Sequence, residues 1–288
     1  MKISTETGSA ARRMGLDMAI PYIAKAGFDA FDITLSEVIV EDPRTERLFL
    51  NNRHPLVGPQ YLKYVRHLKQ IADDNGIPCN QSHAPYPADM PEAHDRLKWA
   101  IECTAELGGK ICVIHPYCRV EMEKNTEFFL GLLPFAKEHG IKIATENMWD
   151  WDLKEDHAKP TNCSTHDSFL AQMEAINDDS FVACVDLGHA EMDGLGTSAA
   201  QMIRALGHHV QALHIHDIDK HNDNHQIPFS LNIDYAPIVK ALKDVNYSGD
   251  FTLEASYYLT KHPEIDVFDG LCDLAKAARR LADMFDAL

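Results

Sequence analysis

The feature that most constrains the fold is a regular alternation of short strand-like runs with helical stretches along the 288-residue chain. In the helical stretches apolar residues recur at i, i+3 and i+4, as at Tyr61, Val65 and Leu68. Eight strand–helix units, spaced by about 30 to 40 residues, are what a closed parallel barrel requires. The predicted strands are residues 2–5, 30–35, 79–85, 111–116, 141–147, 181–189, 210–217 and 250–256. The sequence therefore predicts an α/β protein with a (β/α)8 TIM barrel.

The alternative architecture for such an alternation is a doubly wound sheet. Such sheets rarely contain eight units this regular, and no GxGxxG motif follows the first predicted strand. The chain also has the length of one barrel, which commonly runs to about 250 residues. No low-complexity segment or linker divides it. We therefore expect a single domain over residues 1–288.

Composition excludes several classes of function. The hydrophobic content of 45% and charged content of 25% are typical of a soluble globular chain. The polar start and the lack of long apolar runs predict a cytoplasmic protein without a membrane partner. The net charge of −17 argues against nucleic acid, which rewards clustered Lys and Arg. The seven scattered cysteines contain no CxxC pair, as expected of small apolar residues in a reducing compartment.

Ionisable residues fall at the carboxyl ends of six consecutive predicted strands, the third to the eighth. In a parallel barrel all these ends meet at one mouth, where catalytic residues come from several strands. A lone carboxylate at a strand end is more often a hydrogen-bonding loop residue, but six successive strands with this pattern predict an active site. The residues are His83, His115, Glu146, Asp186, His189, His214, His216 and Glu254.

Carboxylates gathered at one mouth repel one another unless a cation neutralises them, so the pattern predicts a metal ion. Glu146, Asp186, His216 and Glu254 would supply three carboxylates and one imidazole. This set suits one divalent ion, with Mn²⁺ favoured and Mg²⁺, Co²⁺ or Zn²⁺ as alternatives. Because side chains alternate along a strand, His214 should point into the same mouth or the layer beneath it.

Several motifs together resemble those of the sugar phosphate isomerase/epimerase superfamily of xylose-isomerase-like TIM barrels. That superfamily includes ketose 3-epimerases and inosose dehydratases, with endonuclease IV as a distant relative. The resemblance covers nearly the whole chain and rests on the order and spacing of the motifs. They are SHAPY, ELGGKICVIHP, IKIATENM, VDLGHAEM, HIHDIDKHNDNHQIP and NYSGDFTLE.

The resemblance implies a role for each residue at the mouth. Glu146, Asp186, His216 and Glu254 would hold the metal, and His189 would contact a substrate hydroxyl or carbonyl. Asp223 and His225 match a D-x-H motif that precedes a proline in many members. With Trp149 included, we expect the substrate-binding residues to be His83, His115, Trp149, His189 and His225.

The function expected is that of a sugar, or sugar phosphate, isomerase or epimerase. This chemistry removes a proton next to a carbonyl and replaces it elsewhere or on the other face, while a divalent ion stabilises the enediolate charge. Glu146 and Glu254 are the two expected bases. The long connection after Glu146 carries Trp149 and Trp151, which would either cover a bound sugar as a lid or anchor the loop to the rim.

Three alternative functions stay open. An inosose-type dehydratase would use the same metal and the same proton abstraction. An endonuclease IV-like phosphodiesterase is compatible with the ligands, because nine positions match those that hold three zincs there, but the negative charge opposes it. A non-catalytic sugar-binding barrel would not need so many carboxylates. The family also leads us to expect a possible homo-oligomer.

The substrate's phosphorylation state stays open as well. Many members carry a glycine-rich segment after the D-x-H motif, whereas this chain has Pro228, Phe229, Ser230 and Leu231. A backbone cradle for phosphate is therefore less favoured at this position.

Overall fold

Eight parallel strands form the centre of the computed structural model, which describes residues 1–41 and 47–288. Seven of the eight predicted runs contain one of them, and the first run, residues 2–5, overlaps the first strand, Ile3–Glu6. The first and last strands pair, with Ile3 opposite Phe251, and the seventh and eighth are joined at Ile215. We number them in chain order as β1 (Ile3–Glu6), β2 (Ala30–Thr34), β3 (Cys79–His83), β4 (Ile111–Val113), β5 (Lys142–Glu146), β6 (Phe181–Asp186), β7 (Val210–His214) and β8 (Phe251–Leu253). The predicted TIM barrel is confirmed.

Helices surround the barrel and bury their apolar stripes against it. The helix Tyr61–Asp74 agrees with the i, i+3 and i+4 spacing of apolar residues in the sequence, because Val65, Leu68 and Ala72 are buried on one face. The α-helices are Gly8–Met14, Leu16–Ala26, Tyr61–Asp74, Pro91–His94, Leu97–Leu107, Met122–Glu138, His166–Ile176, Leu187–Ala190, Ala199–Leu206, Tyr235–Asp244, Ser256–Thr260 and Val267–Asp286. In the described part of the chain no helix is both long and apolar enough to cross a membrane.

In the described part of the chain, two short antiparallel strand pairs lie outside the eight-stranded sheet. One pairs Ile39–Glu41 with Leu48–Leu50, and the other pairs Asp150–Asp152 with His157–Lys159. The second lies in the connection after Glu146, which the sequence predicted to be a loop. The hairpin gives this connection its own backbone hydrogen bonds and follows directly after Trp149.

The inside of the barrel is layered. A small apolar cluster of Val113, Ala144, Val182, Cys184 and Ala212 fills its lower part. Because side chains alternate along a strand, the next inward positions above Ala144, Cys184 and Ala212 are ionisable residues. The sequence thus places a polar layer directly on top of an apolar one.

The strand that carries the HIH motif is shorter than predicted. It ends at His214, whereas the predicted run extended to residue 217. Ile215 closes the barrel instead: its N–H donates to the carbonyl of Thr252 at 2.9 Å, and its carbonyl accepts from the N–H of Glu254 at 2.9 Å. The chain then leaves the barrel and pairs Asp217 with Gln226. His216 therefore lies just beyond the strand.

Candidate metal centre and active site

A cavity of about 460 Å³ opens at the carboxyl ends of the strands. This volume lies in the range of small-molecule sites. Asp186 and His216 are buried beneath it, fully shielded from solvent. The other predicted site residues all line it: His83, His115, Glu146, Trp149, His189, His225 and Glu254. The structure thus brings together every residue that the sequence placed at the mouth.

Glu146, at the end of β5, is fully buried, and neither of its carboxylate oxygens has a hydrogen-bond partner. Its nearest ionisable neighbours are His214, with Nδ1 3.2 Å from Oε1, and His115, with Nε2 3.3 Å from Oε2. Burial alone would raise its pKa, but His214 and His115 hold the pKa of Glu146 well below its usual range. A buried carboxylate without donors fits a site that holds a cation.

Asp186 ends β6 and joins three parts of the site. Its Oδ1 accepts a hydrogen bond from the backbone N–H of His189 at 2.7 Å and lies 3.0 Å from Nε2 of His216. Gly188 makes this arrangement possible, because a Cβ at that position would collide with the His216 ring. This close approach explains the glycine of the DLGH motif.

Asn147 is a residue of the candidate site that the sequence interpretation did not single out. It is buried directly after Glu146, and within the described residues its side chain hydrogen-bonds to the backbone of the next strand. Its Nδ2 donates to the carbonyl of Asp186 at 2.9 Å, and its Oδ1 accepts from the N–H of Asp186 at 2.8 Å. The sequence signal that could have revealed Asn147 is its position in the ENM motif.

Three histidines at the mouth are oriented in the same way. In each, Nδ1–H donates to a backbone carbonyl, which fixes the orientation of the ring. Nε2 then faces another side chain: Oδ2 of Asp223 for His189 and His225, at 3.3 and 3.1 Å, and Nε2 of His115 for His83, at 3.1 Å. The pairs with backbone carbonyls are His83 with Ala84 at 2.9 Å, His189 with Asn147 at 2.9 Å, and His225 with Glu254 at 2.8 Å. His225 adopts a positive φ of 41° to do so, a conformation that side chains rarely adopt.

The possible metal ligands form overlapping groups whose ligand atoms lie within 4.8 Å of one another. One group contains Glu146, Asp186, His214 and Glu254. A second contains His189, His216, Asp223 and His225, and a third contains His83, His115 and Glu146. The first group thus contains His214, whereas the ligand set predicted from the sequence contains His216. His216 also contacts Asp186. The assignment of His216 as a ligand stays a prediction.

The two predicted bases differ in their proton affinity. Burial, reinforced by Glu146 and Asp186, raises the pKa of Glu254 to about 8 against the opposing effect of His214 and His225. The pKa of Glu146 is lowered, as described above. The metal-free site therefore holds one protonated and one ionised glutamate near neutral pH, a pairing suited to acid–base chemistry.

Apolar side chains form the outer wall of the cavity. They belong to the loops after β3, β4 and β5, and they include Tyr86, Pro87, Met90, Pro116, Met148 and Trp149. Tyr86 stacks on His115 with ring centroids 4.8 Å apart, and Trp149 meets His189 edge-on at 6.5 Å. Tyr86 and Met90 belong to no pattern that indicates a site, so their place in the cavity wall could not be predicted from the sequence.

The segment after β7 is ordered by two aspartates. The buried carboxylate of Asp217 accepts from the N–H groups of Ile218, Leu231 and Ile233, and so fixes a loop that lacks glycine. Asp219 accepts from the N–H of His221 and closes a tight turn. The side chain of His221 itself is 44% exposed.

Comparison with known proteins identifies the family. A profile described as xylose isomerase-like TIM barrel matches residues 20–286. An uncharacterized protein of Methanocaldococcus jannaschii is 25% identical over 217 residues, which cover 68% of this chain and 71% of that protein.

Several solved structures share the fold. D-psicose 3-epimerase with D-tagatose from Clostridium cellulolyticum H10 has a TM-score of 0.68 at 16% identity, covering 100% of this chain and 99% of that one. A D-tagatose 3-epimerase-like protein has a TM-score of 0.68 at 21% identity, covering 100% and 98%. The IOLI protein with a bound zinc atom has a TM-score of 0.70 at 18% identity, covering 100% and 99%. The profile match over residues 20–286 shows that the chain belongs to the xylose isomerase-like TIM barrel family.

Proposed function

We propose that the protein is a divalent-metal-dependent isomerase or epimerase that acts on a small sugar or polyol. The observation that carries this proposal is the pair of Glu146 and Glu254 at the ends of β5 and β8. They share one cavity and one group of possible metal ligands, yet their pKa values are shifted in opposite directions. Neighbours that are named as ketose 3-epimerases support the same chemistry.

The residues of the site fit a divalent ion, since the buried oxygens of Glu146 and Nδ1 of His216 have no hydrogen-bond partner. Glu146, Asp186, His216 and Glu254 are the proposed ligands of one ion, with Mn²⁺ favoured. Zn²⁺ is the main alternative, because the IOLI neighbour is named with a zinc atom. A bound ion would stabilise negative charge that develops on substrate oxygens during proton transfer.

The two glutamates would move the proton. The ionised carboxylate removes a proton from the carbon next to the carbonyl, and the protonated one returns a proton to the neighbouring carbon or to the other face. Because they extend from different strands, they can approach the substrate from different sides. His83 is kept neutral beside this pair, since burial and the nearby His115 lower its pKa to about 4, and its Nε2 lies 3.1 Å from Nε2 of His115.

The cavity favours an uncharged substrate. Carboxylates dominate its charged lining, with Asp89, Asp150 and Asp223 beside the two glutamates. Among the described lining residues the one permanent cation is Arg119, whose Nη2 lies 2.6 Å from Asp150. A phosphate would therefore find no arginine or lysine without a carboxylate partner among the described lining residues. Free ketoses and polyols are therefore tested first, with their phosphates as the comparison.

The first experiment is elemental analysis of the protein, purified without a metal column, before and after chelation. About one equivalent of Mn, Mg or Co supports the proposal and directs the substrate screen to ketoses. Product analysis then separates an epimerised or isomerised sugar from a dehydrated one, which would instead identify a lyase. A protein that holds no metal and takes up none on titration contradicts the proposal.

A phosphodiesterase of the endonuclease IV type is the second candidate. The specific observation in its favour is that His83, His115 and Glu146 form a further possible metal group, as do His189, His216, Asp223 and His225. Two or three equivalents of zinc together with cleavage of DNA at an abasic site would establish it. The net charge of −17 is unfavourable for DNA binding.

A further inference from the structure

A second cavity, of about 590 Å³, adjoins the active-site cavity. Its lining comes from the segments that follow β1, β2 and β3, whereas the segments after β3 to β8 line the first cavity. Tyr86, Pro87 and Met90 line both cavities. The two spaces therefore share one wall, and a ligand that extends past this wall would occupy both of them.

The shared wall is apolar and accessible. Tyr86 is 45% exposed and Met90 38%. The ring of Tyr86 stacks on His115 and meets His83 edge-on with ring centroids 5.2 Å apart, so it is held next to the proposed site. An accessible aromatic ring of this kind offers apolar surface to a ligand, while its hydroxyl provides a polar end.

Arg12 and Glu37 supply the charged groups of the second cavity. Nε of Arg12 donates to Oε1 of Glu37 at 2.7 Å, and the side chain of Arg12 is 54% exposed. A guanidinium carries five N–H donors, of which this bond uses one. Because the two charges of the pair compensate each other, the cavity suits a neutral ligand with hydroxyl groups better than an ion.

The position of Glu37 is determined by the start of the first helix. A Cβ at Gly8 would lie 2.7 Å from Oε1 of Glu37, so the carboxyl group takes the space that a side chain would fill. Burial raises the pKa of Glu37 to about 7 against the effect of Arg12, and the nearby Glu6 adds to the rise. A carboxyl group with a shifted pKa in a cleft is typical of a functional site.

We propose that the second cavity binds a second sugar unit of the substrate, so that the protein acts on a glycosylated sugar whose reacting unit lies at Glu146 and Glu254. The inference rests on the proposed function of the first cavity. The second unit would pack on Tyr86 and share its hydroxyls with Arg12 and Glu37. Binding energy from such a non-reacting part of a substrate contributes to catalysis at the reacting part.

The test compares each ketose in its free form with its O-glucosyl derivatives, on the metal-loaded protein. The first set is D-fructose with turanose, maltulose, leucrose and isomaltulose, in which glucose is attached to different hydroxyls of the same ketose. We expect kcat/KM to be at least about 10-fold higher for one glucosylated form than for the free ketose, because two added hydrogen bonds are together worth about this factor.

Two substitutions in the second cavity test where the added unit binds. Ser36 lines the second cavity and not the first, so Ser36→Trp should fill the space and bring the ratio of the two kcat/KM values close to one. Arg12→Met should lower the ratio about 3- to 10-fold, because a charge-assisted hydrogen bond is lost. Arg66→Met is the matched control, since Arg66 forms an exposed pair with Glu106, and should keep the wild-type ratio. Melting temperatures verify folding.

Equal or lower kcat/KM for every glucosylated form would overturn the inference and leave the proposed function intact. A preference for a glucosylated form that is unchanged in Arg12→Met and in folded Ser36→Trp would also overturn it, since the second unit would then bind elsewhere. If the metal-loaded wild type converts no sugar of the screen, free or glucosylated, the proposed function and the inference fail together.

Discussion

Asn147 and Asp186 are joined by two hydrogen bonds between the side-chain amide of the first and the backbone of the second. The bonds connect the ends of β5 and β6, where parallel strand pairing has already stopped. Because Glu146 precedes Asn147 directly, the distance between the carboxylates of Glu146 and Asp186 depends on this contact. An amide that pairs with backbone thus maintains the geometry of two acidic side chains.

We expect Asn147→Ala to destabilise the protein by on the order of 3 kcal/mol, because it leaves a buried N–H and a buried carbonyl without partners. Metal affinity should fall as well. Urea unfolding and Mn²⁺ titration measure the two effects, with the exposed Asn75→Ala as the control. Wild-type stability would show that water replaces the amide.

Replacement of either proposed base should abolish turnover. Glu146→Gln and Glu254→Gln each remove a proton carrier while keeping the size of the side chain, and general acid–base groups contribute about 10²- to 10⁴-fold to rates. The measurement is kcat on the identified sugar with metal content determined in parallel. Glu138→Gln, at an exposed helix end, should retain full activity. Near-normal kcat in either active-site variant would refute the two-base assignment.

Metal affinity should depend on pH through Glu254. Its carboxyl must lose a proton to bind a cation, and its pKa is raised to about 8. The Glu254 carboxyl therefore keeps its proton at pH values below about 8. Affinity for Mn²⁺ should fall about 10-fold for each pH unit below about 8, and it should be constant above that pH. Titrations from pH 6 to 9 provide the test. The Glu254→Gln variant should bind more weakly with a shallower slope, and an unchanged slope would assign the proton to another group.

Gly188→Ala should disturb the site through His216. The added methyl group would occupy the space of the imidazole ring, so the ring must move away from Asp186. We expect Mn²⁺ affinity at least about 10-fold lower than in the wild type. Gly131→Ala is the matched control: it lies in the helix Met122–Glu138 with open space around it, and should be neutral or stabilising by about 1 kcal/mol. Equal metal affinity in both variants would contradict the steric role of Gly188.

Trp149→Ala separates the two roles that the sequence left open for this side chain. If the indole covers bound substrate, KM should rise about 10-fold, with the melting temperature and the metal content nearly unchanged. Trp151→Ala is the control, since Trp151 contacts His221 and does not line the cavity. A lower melting temperature with unchanged KM would instead identify Trp149 as an anchor of the loop.

The eight strands could be predicted because their alternation with helices is a local property of the sequence. The position of the mouth could be predicted from the same alternation, because all parallel strands of a barrel end on the same side. The hairpin of Ile39–Glu41 and Leu48–Leu50 could not, because strands of three residues have no periodicity to detect.

The depth at which individual side chains lie in the barrel could also not be predicted from the sequence. His214 and His216 share a strand parity, but only the three-dimensional arrangement shows that the first lies with the two glutamates and the second with His225. Asp32 is one acidic residue in an apolar strand, and its partners Gln81 and His214 are distant in sequence. Such a pairing depends on how the barrel closes and not on any local pattern.

The pairing of β1 with β8 also determines when during folding the site is complete. Ile3 meets Phe251 across nearly the whole chain, and contacts so distant in sequence form slowly because a long loop must close first. Glu254 takes its backbone position from Ile215 at that same seam. A chain still emerging from the ribosome therefore presents Glu146 and Asp186 long before Glu254 joins them. Capture of an ion by the full proposed ligand set is coupled to the closing of the barrel.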